Sequence, residues 1–393
     1  MKNKLNLENK NIYEYSFKYL KICLWILFIV TNTLLNKYKG LVFISTKAQS
    51  SLILKEENFS YYQNTSKIKI SIFIPIYNKE GYIYKSIKSI ITQTLTDIEI
   101  IAINDYSSDN SLKILLEFAK NDKRIKIINN DKNKGLLYSR AMGILSSSGE
   151  YLLNLDSDDE LKGYNTLKNL YYKAKRYNLD IINFVFKDKK QNKNINNCKK
   201  INTVLQQPEL FNSIFNKHNE ITDYNIWNKL VRREIFIKAY NTFKEEIYNW
   251  KWNYYEDDIW NILINKYAKS KICVNRMIYI YNYDQKSLMN NKRGLIEFQN
   301  LIYRHEMYKK IFSTKENEKY LIAEYLFLFN RIKLQINALI ILNSQKINMQ
   351  IINIFKIFLN NYKCSTDIRN NITKFINTIN INSNESNFFY NNK

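Results

Sequence analysis

The chain has 393 residues and carries 60 Lys and Arg against 36 Asp and Glu, which gives a formal net charge of +24 at pH 7. A hydrophobic content of 45% with 15% aromatic residues excludes a disordered protein and supports a sizeable core, while the even spread of the lysines argues against a nucleic-acid partner. Four widely spaced cysteines and two histidines predict neither a zinc site nor a disulfide framework, so acid–base chemistry here should depend on carboxylates.

The first element is the strongest apolar block of the chain, ICLWILFIVTNTLL at residues 22–35, with lysines on both sides. The block is shorter than the ~20 residues that cross a bilayer as a helix, but extended on both sides it spans one if the lysines snorkel. A cleaved signal peptide and a buried helix of a soluble protein are the alternatives. We predict a tail at 1–21, a single-pass membrane anchor at 22–44 and a stem at 45–67, which places the protein in a membrane of the secretory pathway.

From residue 68 the pattern changes to short apolar runs that alternate with segments of helical spacing. The predicted strands are KIKISIFIPIYN, DIEIIAIND, RIKIINN and EYLLNLD, and the predicted helices are EGYIYKSIKSIITQT, DNSLKILLEFAKND and GLLYSRAMGILSSSG. Such alternation is typical of βαβ units, so we predict an α/β fold whose parallel sheet is covered by helices on both faces. Ligands of such sheets bind at the carboxyl ends of the strands.

Acidic residues are concentrated at one of these strand ends, in YLLNLDSDDEL at residues 151–161. Carboxylates this close together repel one another unless water, a cation or a basic partner compensates them. A divalent cation site is one interpretation, and a solvated loop after a strand is the alternative. Asp105, at the end of the second predicted strand, is expected at the same edge of the sheet.

The rest of the chain offers weaker patterns. It contains a predicted strand at 180–186, a polar loop KDKKQNKNINNCKK, an aromatic segment IWNKLVRREIF, a second acidic cluster that opens a helix, YYEDDIWNILINKYAK, and a strand-like run, KICVNRMIYIYNY. Residues 291–393 have helical periodicity and no acidic cluster, so we predict a C-terminal helical region there. Whether that region packs on the preceding domain, covers it or dimerises is left open by the sequence.

The order of these motifs resembles that of a known family. A close resemblance to the nucleotide-binding half of family 2 glycosyltransferases of the GT-A fold is carried by SIFIPIYNKEGYIYKSIKSIITQTLTDIEIIAINDYSSDNS and NKGLLYSRAMGILSSSGEYLLNLDSDDEL. A resemblance to the acceptor half is carried by WNKLVRREIF, EDDIWN and YIYNYDQKS. It covers residues 68–287 and implies a GT-A domain at 68–290, Rossmann-like with a mostly parallel sheet, between the membrane segment and the helical region at 291–393.

The resemblance implies a nucleotide-diphospho-sugar donor, with a UDP-sugar favoured. The residues implied to bind this donor are Pro75, Tyr77, Asn78, Glu80, Asp105, Arg140 and Asp156. A packing role for Tyr77 and a surface ion pair for Arg140 are the alternatives. The family's usual Asp-Asp-Gly-Ser is altered here, because Asn104 replaces the first acid and Tyr106 the glycine. An asparagine still hydrogen-bonds a ribose or base but brings no charge, which leaves the nucleotide preference open.

The same resemblance implies a divalent metal, Mn²⁺ or Mg²⁺, held by the D-x-D acids Asp156 and Asp158. A diphosphate leaving group gains negative charge as the sugar bond breaks, and a divalent cation neutralises that charge without a proton. Asp159 and Glu160 are interpreted as neighbours of the metal ligands or as acids that favour the start of a helix.

Asp257, in the second acidic cluster, is our predicted base for the acceptor hydroxyl. An inverting displacement needs a base on the side of the sugar opposite the leaving diphosphate, and hence on a different segment from the metal ligands. Acids that merely open a helix are the alternative. The residues implied to bind the acceptor or to support the base are Trp227, Asn228, Lys229, Glu256 and Asp258.

Together these features predict a metal-dependent, inverting hexosyl- or N-acetylhexosaminyltransferase that acts on a glycan, protein or lipid acceptor. The alternative is a catalytically degenerate GT-A domain that serves as a nucleotide-sugar-binding or scaffolding module. That alternative rests on Asn104 alone, and the presence of both acidic clusters argues against it.

Overall fold

A ten-stranded sheet with helices packed on both faces forms the centre of the protein. The computed structural model describes residues 68–197, 200–282, 295–314, 317–336, 345–361 and 369–377. In chain order the strands are β1 (Ile70–Ile76), β2 (Ile98–Asn104), β3 (Ile125–Asn129), β4 (Tyr151–Asn154), β5 (Glu160–Leu161), β6 (Ile181–Asp188), β7 (Lys193–Ile195), β8 (Val204–Gln206), β9 (Lys229–Arg232) and β10 (Ser270–Tyr281). The helices are α1 (Ile83–Ile91), α2 (Ser111–Asn121), α3 (Leu136–Ser146), α4 (Thr166–Arg176), α5 (Glu209–Asn212), α6 (Arg233–Asn249), α7 (Glu256–Tyr267), α8 (Leu295–Ile311), α9 (Glu318–Ile336) and α10 (Gln345–Asn361).

Four parallel strands form one half of the sheet in the order β3-β2-β1-β4. Every residue of β1 and β2 is buried, which explains why ISIFIPI and IEIIAIN are mostly apolar instead of alternating between apolar and polar residues. These strands lie where the alternating pattern predicts them. Their carboxyl ends meet at one edge of the sheet, beside Asp105 and Asp156.

The other half corrects the expectation of a mostly parallel sheet. β9 lies between β4 and β6 and is antiparallel to both. It runs in this direction because the chain leaves the carboxyl end of β6 and returns to the same edge, which brings residues 219–228 beside the end of β4. The stretch predicted as a polar loop contains a short strand, β7. On β10, Cys273 is disulfide-bonded, although the spacing of the cysteines predicted no such bridge.

Alternate residues of the strands pack into two cores, one on each face of the sheet. Ile70, Ile72 and Ile74 belong to a core with α1, α2 and α4, while Phe73 belongs to the core with α3, α6 and α7. The second core continues through α8, α9 and α10, whose buried residues include Leu301. The described parts of 291–393 contain these three helices, whose apolar residues share this core with α3, α6 and α7.

The prediction of a single-pass N-terminal membrane anchor is wrong. Among the residues that the structure describes, no helix is long and apolar enough to cross a membrane. The segment at 22–44, on which the prediction rested, lies outside those residues, as do the tail at 1–21 and the stem at 45–67.

The approach of the chain to β4 leaves room only for glycine at residue 149. A Cβ on Gly149 would lie 2.6 Å from both the backbone nitrogen and Oγ of Ser71, whereas a Cβ on Gly81 would meet nothing within 4 Å. We expect Gly149→Ala to lower the free energy of unfolding by about 1–3 kcal/mol, since β1 has to shift to admit the methyl group. Urea denaturation measures this, with Gly81→Ala as a control close to wild type. Equal midpoints for the two variants would contradict this explanation.

Candidate active site

A cavity of about 1200 Å³ opens at the carboxyl edge of β1, β2 and β4. Among the regions that line it, three contain most of the predicted site residues or face them. The first is the set of loops after these strands, the second is the segment 219–227 with the first turn of α7, and the third consists of α8 and α9. The cavity therefore joins the edge where the sequence predicts the donor to the segments that it assigns to the acceptor.

The loop after β1 contributes Pro75, Tyr77 and Asn78 to the cavity wall. Asn78 has a left-handed backbone with a φ of 52°, a conformation that asparagine tolerates better than most residues. Its Oδ1 accepts a hydrogen bond from the Ser108 backbone N–H at 2.8 Å, and its own N–H donates to Ser107 Oγ at 3.0 Å. The loops after β1 and β2 thus brace each other around the opening.

Glu80 is placed differently from its neighbours on this loop. Its carboxylate accepts hydrogen bonds from the backbone N–H and from Nδ2 of Asn110, at 2.9 and 2.8 Å. Its backbone N–H donates to Asp109 at 2.9 Å. Glu80 therefore braces the start of α2 and is not among the described residues that line the cavity.

Asp105 lies in the cavity wall, but its carboxylate is already engaged. It accepts hydrogen bonds from Asn130 Nδ2 and from the backbone N–H groups of Lys134 and Gly135, each at 2.8 Å. These bonds fix the turn that leads into α3, so Asp105 shapes the wall. Asn104, which replaces the family's first acid, donates to a side chain on β3 at 2.6 Å and is not one of the described lining residues.

The acids of the D-x-D motif follow β4, and each has a different partner. Asp156 accepts hydrogen bonds from Arg140 Nη2 at 3.1 Å and from Asn154 Nδ2 at 2.9 Å. Asp158 pairs with Lys79 Nζ at 2.6 Å, and no sequence motif indicated this lysine. Burial raises the pKa of Asp158 above its usual range, and the Lys79 ammonium opposes that rise.

Asp159 and Glu160 connect the motif to other strands. Asp159 is fully buried and accepts hydrogen bonds from the Tyr279 hydroxyl at 2.7 Å and from the Asn282 backbone N–H at 2.8 Å. Burial, with the two nearby aspartates, raises the pKa of Asp159 well above its usual range. Glu160 accepts a hydrogen bond from Lys189 Nζ at 3.3 Å. Asp159 thus anchors the motif to β10.

Arg140 brings the two acidic clusters of the sequence together. It lies on α3, is 1% exposed, and donates from Nη1 to Glu256 at 2.5 Å and to Asp257. Its Nη2 reaches Asp156. Three carboxylates, two of them from a segment more than a hundred positions away, thus share one guanidinium, and that guanidinium stays charged at any physiological pH.

Glu256 and Asp257 differ in exposure. The Glu256 side chain is 3% exposed and that of Asp257 is 24% exposed. Burial raises the pKa of both carboxyl groups above their usual ranges, and the charge of Arg140 opposes both rises. Of the two, the Asp257 carboxyl group is the more accessible from the cavity. Asp257 is the member of the pair that is able to take a proton from an acceptor hydroxyl.

The first turn of α7 owes its direction to the residue before it. Tyr255 has a left-handed φ of 65°, which is rare for a bulky side chain, and its hydroxyl donates to Glu297 on α8 at 2.5 Å. From this turn Glu256 and Asp257 contact α3, and Asp258 contacts α8. Acids in a first helical turn are also favoured by the helix dipole.

Asp258 pairs with a second arginine, at 2.7 Å from Arg304 Nε. Arg304, on α8, is 2% exposed and also donates to Glu324 on α9. Burial raises the pKa of Glu324 to about 8, with the charge of Arg304 opposing the rise. No local motif indicated these two residues, because their contact forms only when three helices pack together.

Trp227, Asn228 and Lys229 are consecutive but have different surroundings. Trp227 lines the cavity and stacks on Tyr279 with ring centroids 4.6 Å apart. Asn228 and Lys229 are outside the described wall: Lys229 is fully buried and donates to Asp223 at 2.7 Å. Burial lowers the pKa of Lys229 to about 8. Lys229, the first residue of β9, thus ties this strand to the segment before it through Asp223.

The residues at the sheet edge are suited to a divalent cation. Carboxylate oxygens are ligands that Mg²⁺ and Mn²⁺ prefer, and the Lys79 ammonium beside Asp158 shows that this carboxylate attracts positive charge. Within the described ranges, no group of three His, Cys, Asp or Glu side chains could surround an ion by itself. A cation held by Asp156 and Asp158 would therefore take its remaining ligands from water and a substrate diphosphate.

Parallel strands that end in an acidic motif, with a second acid pair in the same cavity, are the arrangement expected of a GT-A type of glycosyltransferase. The Glycosyl transferase family 2 model matches residues 71–239. An uncharacterized glycosyltransferase of Haemophilus influenzae is 30% identical over 248 residues, which are 60% of this chain and 73% of that protein. The chain belongs to the family 2 glycosyltransferases.

Other relatives match shorter parts. EpsJ of Bacillus subtilis, an uncharacterized glycosyltransferase, is 32% identical over 221 residues, 56% of this chain and 62% of EpsJ. The cholesterol galactosyltransferase of Borreliella burgdorferi is 34% identical over 182 residues, 44% of this chain and 50% of that protein. The chain thus spans less than two thirds of each of these two proteins.

Solved structures share the fold. The crystal structure of S. aureus TarS 1-349 in complex with UDP-GlcNAc superposes with a TM-score of 0.55, covering 75% of this chain and 81% of that one. The sequence identity is 17%, so the likeness concerns the fold.

Proposed function

We propose that the protein transfers a sugar from a UDP-sugar to an acceptor hydroxyl, with inversion at the anomeric carbon and with a divalent cation at the donor site. The observation that carries the proposal is the position of Asp156 and Asp257 on either side of Arg140. A donor site at the sheet edge and a proton acceptor from a distant segment face one cavity, as a single displacement requires.

In the proposed step the acceptor oxygen forms a bond with the anomeric carbon, and the bond from that carbon to the diphosphate oxygen breaks. Asp257 takes the proton of the acceptor hydroxyl, and the nucleoside diphosphate leaves with the electron pair of the broken bond. Arg140 orients Asp257 and favours its ionised form. A bound divalent cation supplies compensation for the charge that develops on the diphosphate.

Two of the comparisons support the choice of donor. One structural neighbour was crystallised with UDP-GlcNAc, and one sequence relative is a galactosyltransferase. We accordingly propose a hexose or an N-acetylhexosamine as the sugar. The rival function, a degenerate nucleotide-sugar-binding module, rested on Asn104, whose side chain bonds to β3 and is outside the described cavity wall. That substitution therefore gives no reason to doubt catalysis.

Calorimetry with UDP tests the donor site. We expect UDP to bind in Mn²⁺ and to lose its affinity in EDTA, because the diphosphate otherwise faces Asp156 and Asp158 directly. Asp158→Asn should weaken UDP binding in Mn²⁺ by at least ~10-fold, since even residues behind a metal ligand have effects of that size. Asp97→Asn, which alters an acid paired with Lys69, is the matched control. Equal UDP affinity in Mn²⁺ and in EDTA would refute the cation requirement.

A further inference from the structure

The wall of the cavity formed by α8 and α9 has no part in the proposed displacement, yet it is built from polar and aromatic side chains. Its members on these two helices are Arg304, Tyr308, Tyr320, Ala323, Glu324 and Phe327. Arg304 connects this wall to Asp258, which follows the proposed base in the chain. The wall therefore lies on the acceptor side of the cavity.

Glu324 presents a buried oxygen that lacks a partner. The residue is 2% exposed, and one of its carboxyl oxygens accepts a hydrogen bond from Arg304. The other, Oε1, has no hydrogen-bond partner among the described residues. A buried polar atom left unsatisfied is costly, so such an atom in a cavity wall is a candidate for a ligand's hydrogen bond. Burial raises the pKa of this carboxyl group, with the charge of Arg304 opposing the rise, and Oε1 is able to accept a hydrogen bond whether or not the group is ionised.

Aromatic rings complete the same wall. Phe327 lies with its ring centroid 6.1 Å from that of Tyr255, at an interplanar angle of 82°, and 4.1 Å from the Arg304 guanidinium. Tyr224, which lines the same cavity, is 49% exposed. Flat apolar faces next to a hydrogen-bonding carboxyl match a pyranose ring, which has an apolar C–H face and a rim of hydroxyl groups. A lipid chain would leave Glu324 Oε1 without a hydrogen-bond partner, so the chemistry of the wall favours a sugar.

We propose that this wall is the acceptor subsite and that it binds a carbohydrate, with Glu324 hydrogen-bonded to a sugar hydroxyl and with Tyr224 and Phe327 against the C–H face. This inference rests on the proposed function, and it selects the glycan among the glycan, protein and lipid acceptors that the family resemblance leaves open. The site is composed of segments outside the donor half, so donor and acceptor affinities should be separable by mutation.

Nucleotide release from UDP-glucose, UDP-galactose and UDP-GlcNAc in Mn²⁺ tests the inference. Methyl glycosides of the common hexoses and N-acetylhexosamines serve as the carbohydrate probes, octanol as the lipid probe and a serine-containing peptide as the protein probe. We expect a methyl glycoside to accelerate UDP release with saturation. Tyr224→Ala and Glu324→Leu should each raise the KM for that glycoside about tenfold, the effect of one lost hydrogen bond or ring contact, with little change in the KM for the UDP-sugar.

Two control variants separate binding from folding. Glu324→Gln retains a donor and an acceptor and should keep the glycoside KM near that of wild type. Tyr164→Ala removes a ring that is 69% exposed elsewhere and should have no effect. Because Tyr224 is half exposed, its variant folds even if Glu324→Leu does not, and an unchanged glycoside KM in Tyr224→Ala overturns the inference.

The probes distinguish the failure of this inference from that of the proposed function. Acceleration by octanol or by the peptide, with none by any glycoside, would overturn the carbohydrate subsite and leave the transferase. Absence of both UDP binding and UDP release with every donor would overturn the transferase, and the subsite with it.

Discussion

Replacing Asp257 with Asn should lower kcat by about 10² to 10⁴, which is the usual contribution of a positioned general base. Asn keeps the shape of the side chain but cannot take the proton of an acceptor hydroxyl at neutral pH. UDP affinity in Mn²⁺ should be retained, since Arg140 still pairs with Asp156 and Glu256 in this variant. Steady-state kinetics with saturating donor, together with calorimetry on the same preparations, measures both quantities.

The pH profile of the wild-type enzyme gives a second measure of the same role. Burial raises the pKa of Asp257, and the base is protonated as the pH falls below that raised pKa, so kcat should fall about tenfold per pH unit on the acid side. Asp257→Asn should lose this acid limb. Asp258→Asn is the comparison, because Asp258 faces Arg304 instead of Arg140. Near-normal turnover in Asp257→Asn with a collapse in Asp258→Asn would move the base by one residue.

Replacing Arg140 with Met should lower the free energy of unfolding by about 3–5 kcal/mol at neutral pH, the cost of leaving buried charges without their partner. Arg140 is 1% exposed and is shared by Asp156, Glu256 and Asp257, so one substitution removes the cation from three carboxylates. Urea denaturation measures the loss.

The loss should also depend on pH, and its sign follows from the charges. Without the guanidinium, the pKa values of the buried carboxyl groups in the folded state rise further above their unfolded values. A carboxyl group whose pKa is higher in the folded than in the unfolded state destabilises the fold progressively as the pH rises through the folded pKa. Arg140→Met should therefore lose more stability at pH 8 than at pH 5. Arg124→Met, which breaks a partly exposed pair with Asp122, is the control and should cost about 0–1 kcal/mol. A loss independent of pH would show that Arg140 acts through packing alone.

The parallel half of the sheet and the position of the D-x-D acids could be predicted from the sequence, because both depend on local patterns. Buried parallel strands require mostly apolar runs, and β1 and β2 have them. Residues that directly follow such strands are then bound to lie at the sheet edge. Asp156 and Asp158 needed no further information to be placed there.

The contacts that organise the site could not be predicted from local sequence patterns. The link from Arg140 to Asp257 spans 117 positions, and the pair of Lys79 with Asp158 spans 79. Such contacts depend on how helices and loops pack, which periodicity does not encode. Lys229 shows a contact that its motif does not specify, because this residue is buried as the counterion of Asp223. The direction of β9 could not be predicted from local patterns either, since it is set by the path of a long connection.

The two buried arginines have a mechanical consequence. Arg140 joins α3 to the first turn of α7, and Arg304 joins that turn to α8 and α9. Sliding any one of these helices past another would separate a desolvated ion pair, so the four helices are bound to move as a single rigid block. Among the described residues, the loops after β1 and β2 are joined to each other by exposed hydrogen bonds, so within this part of the chain a closure over a bound donor would come from these loops. The base and the acceptor wall would travel together, and their spacing would stay constant through the catalytic cycle.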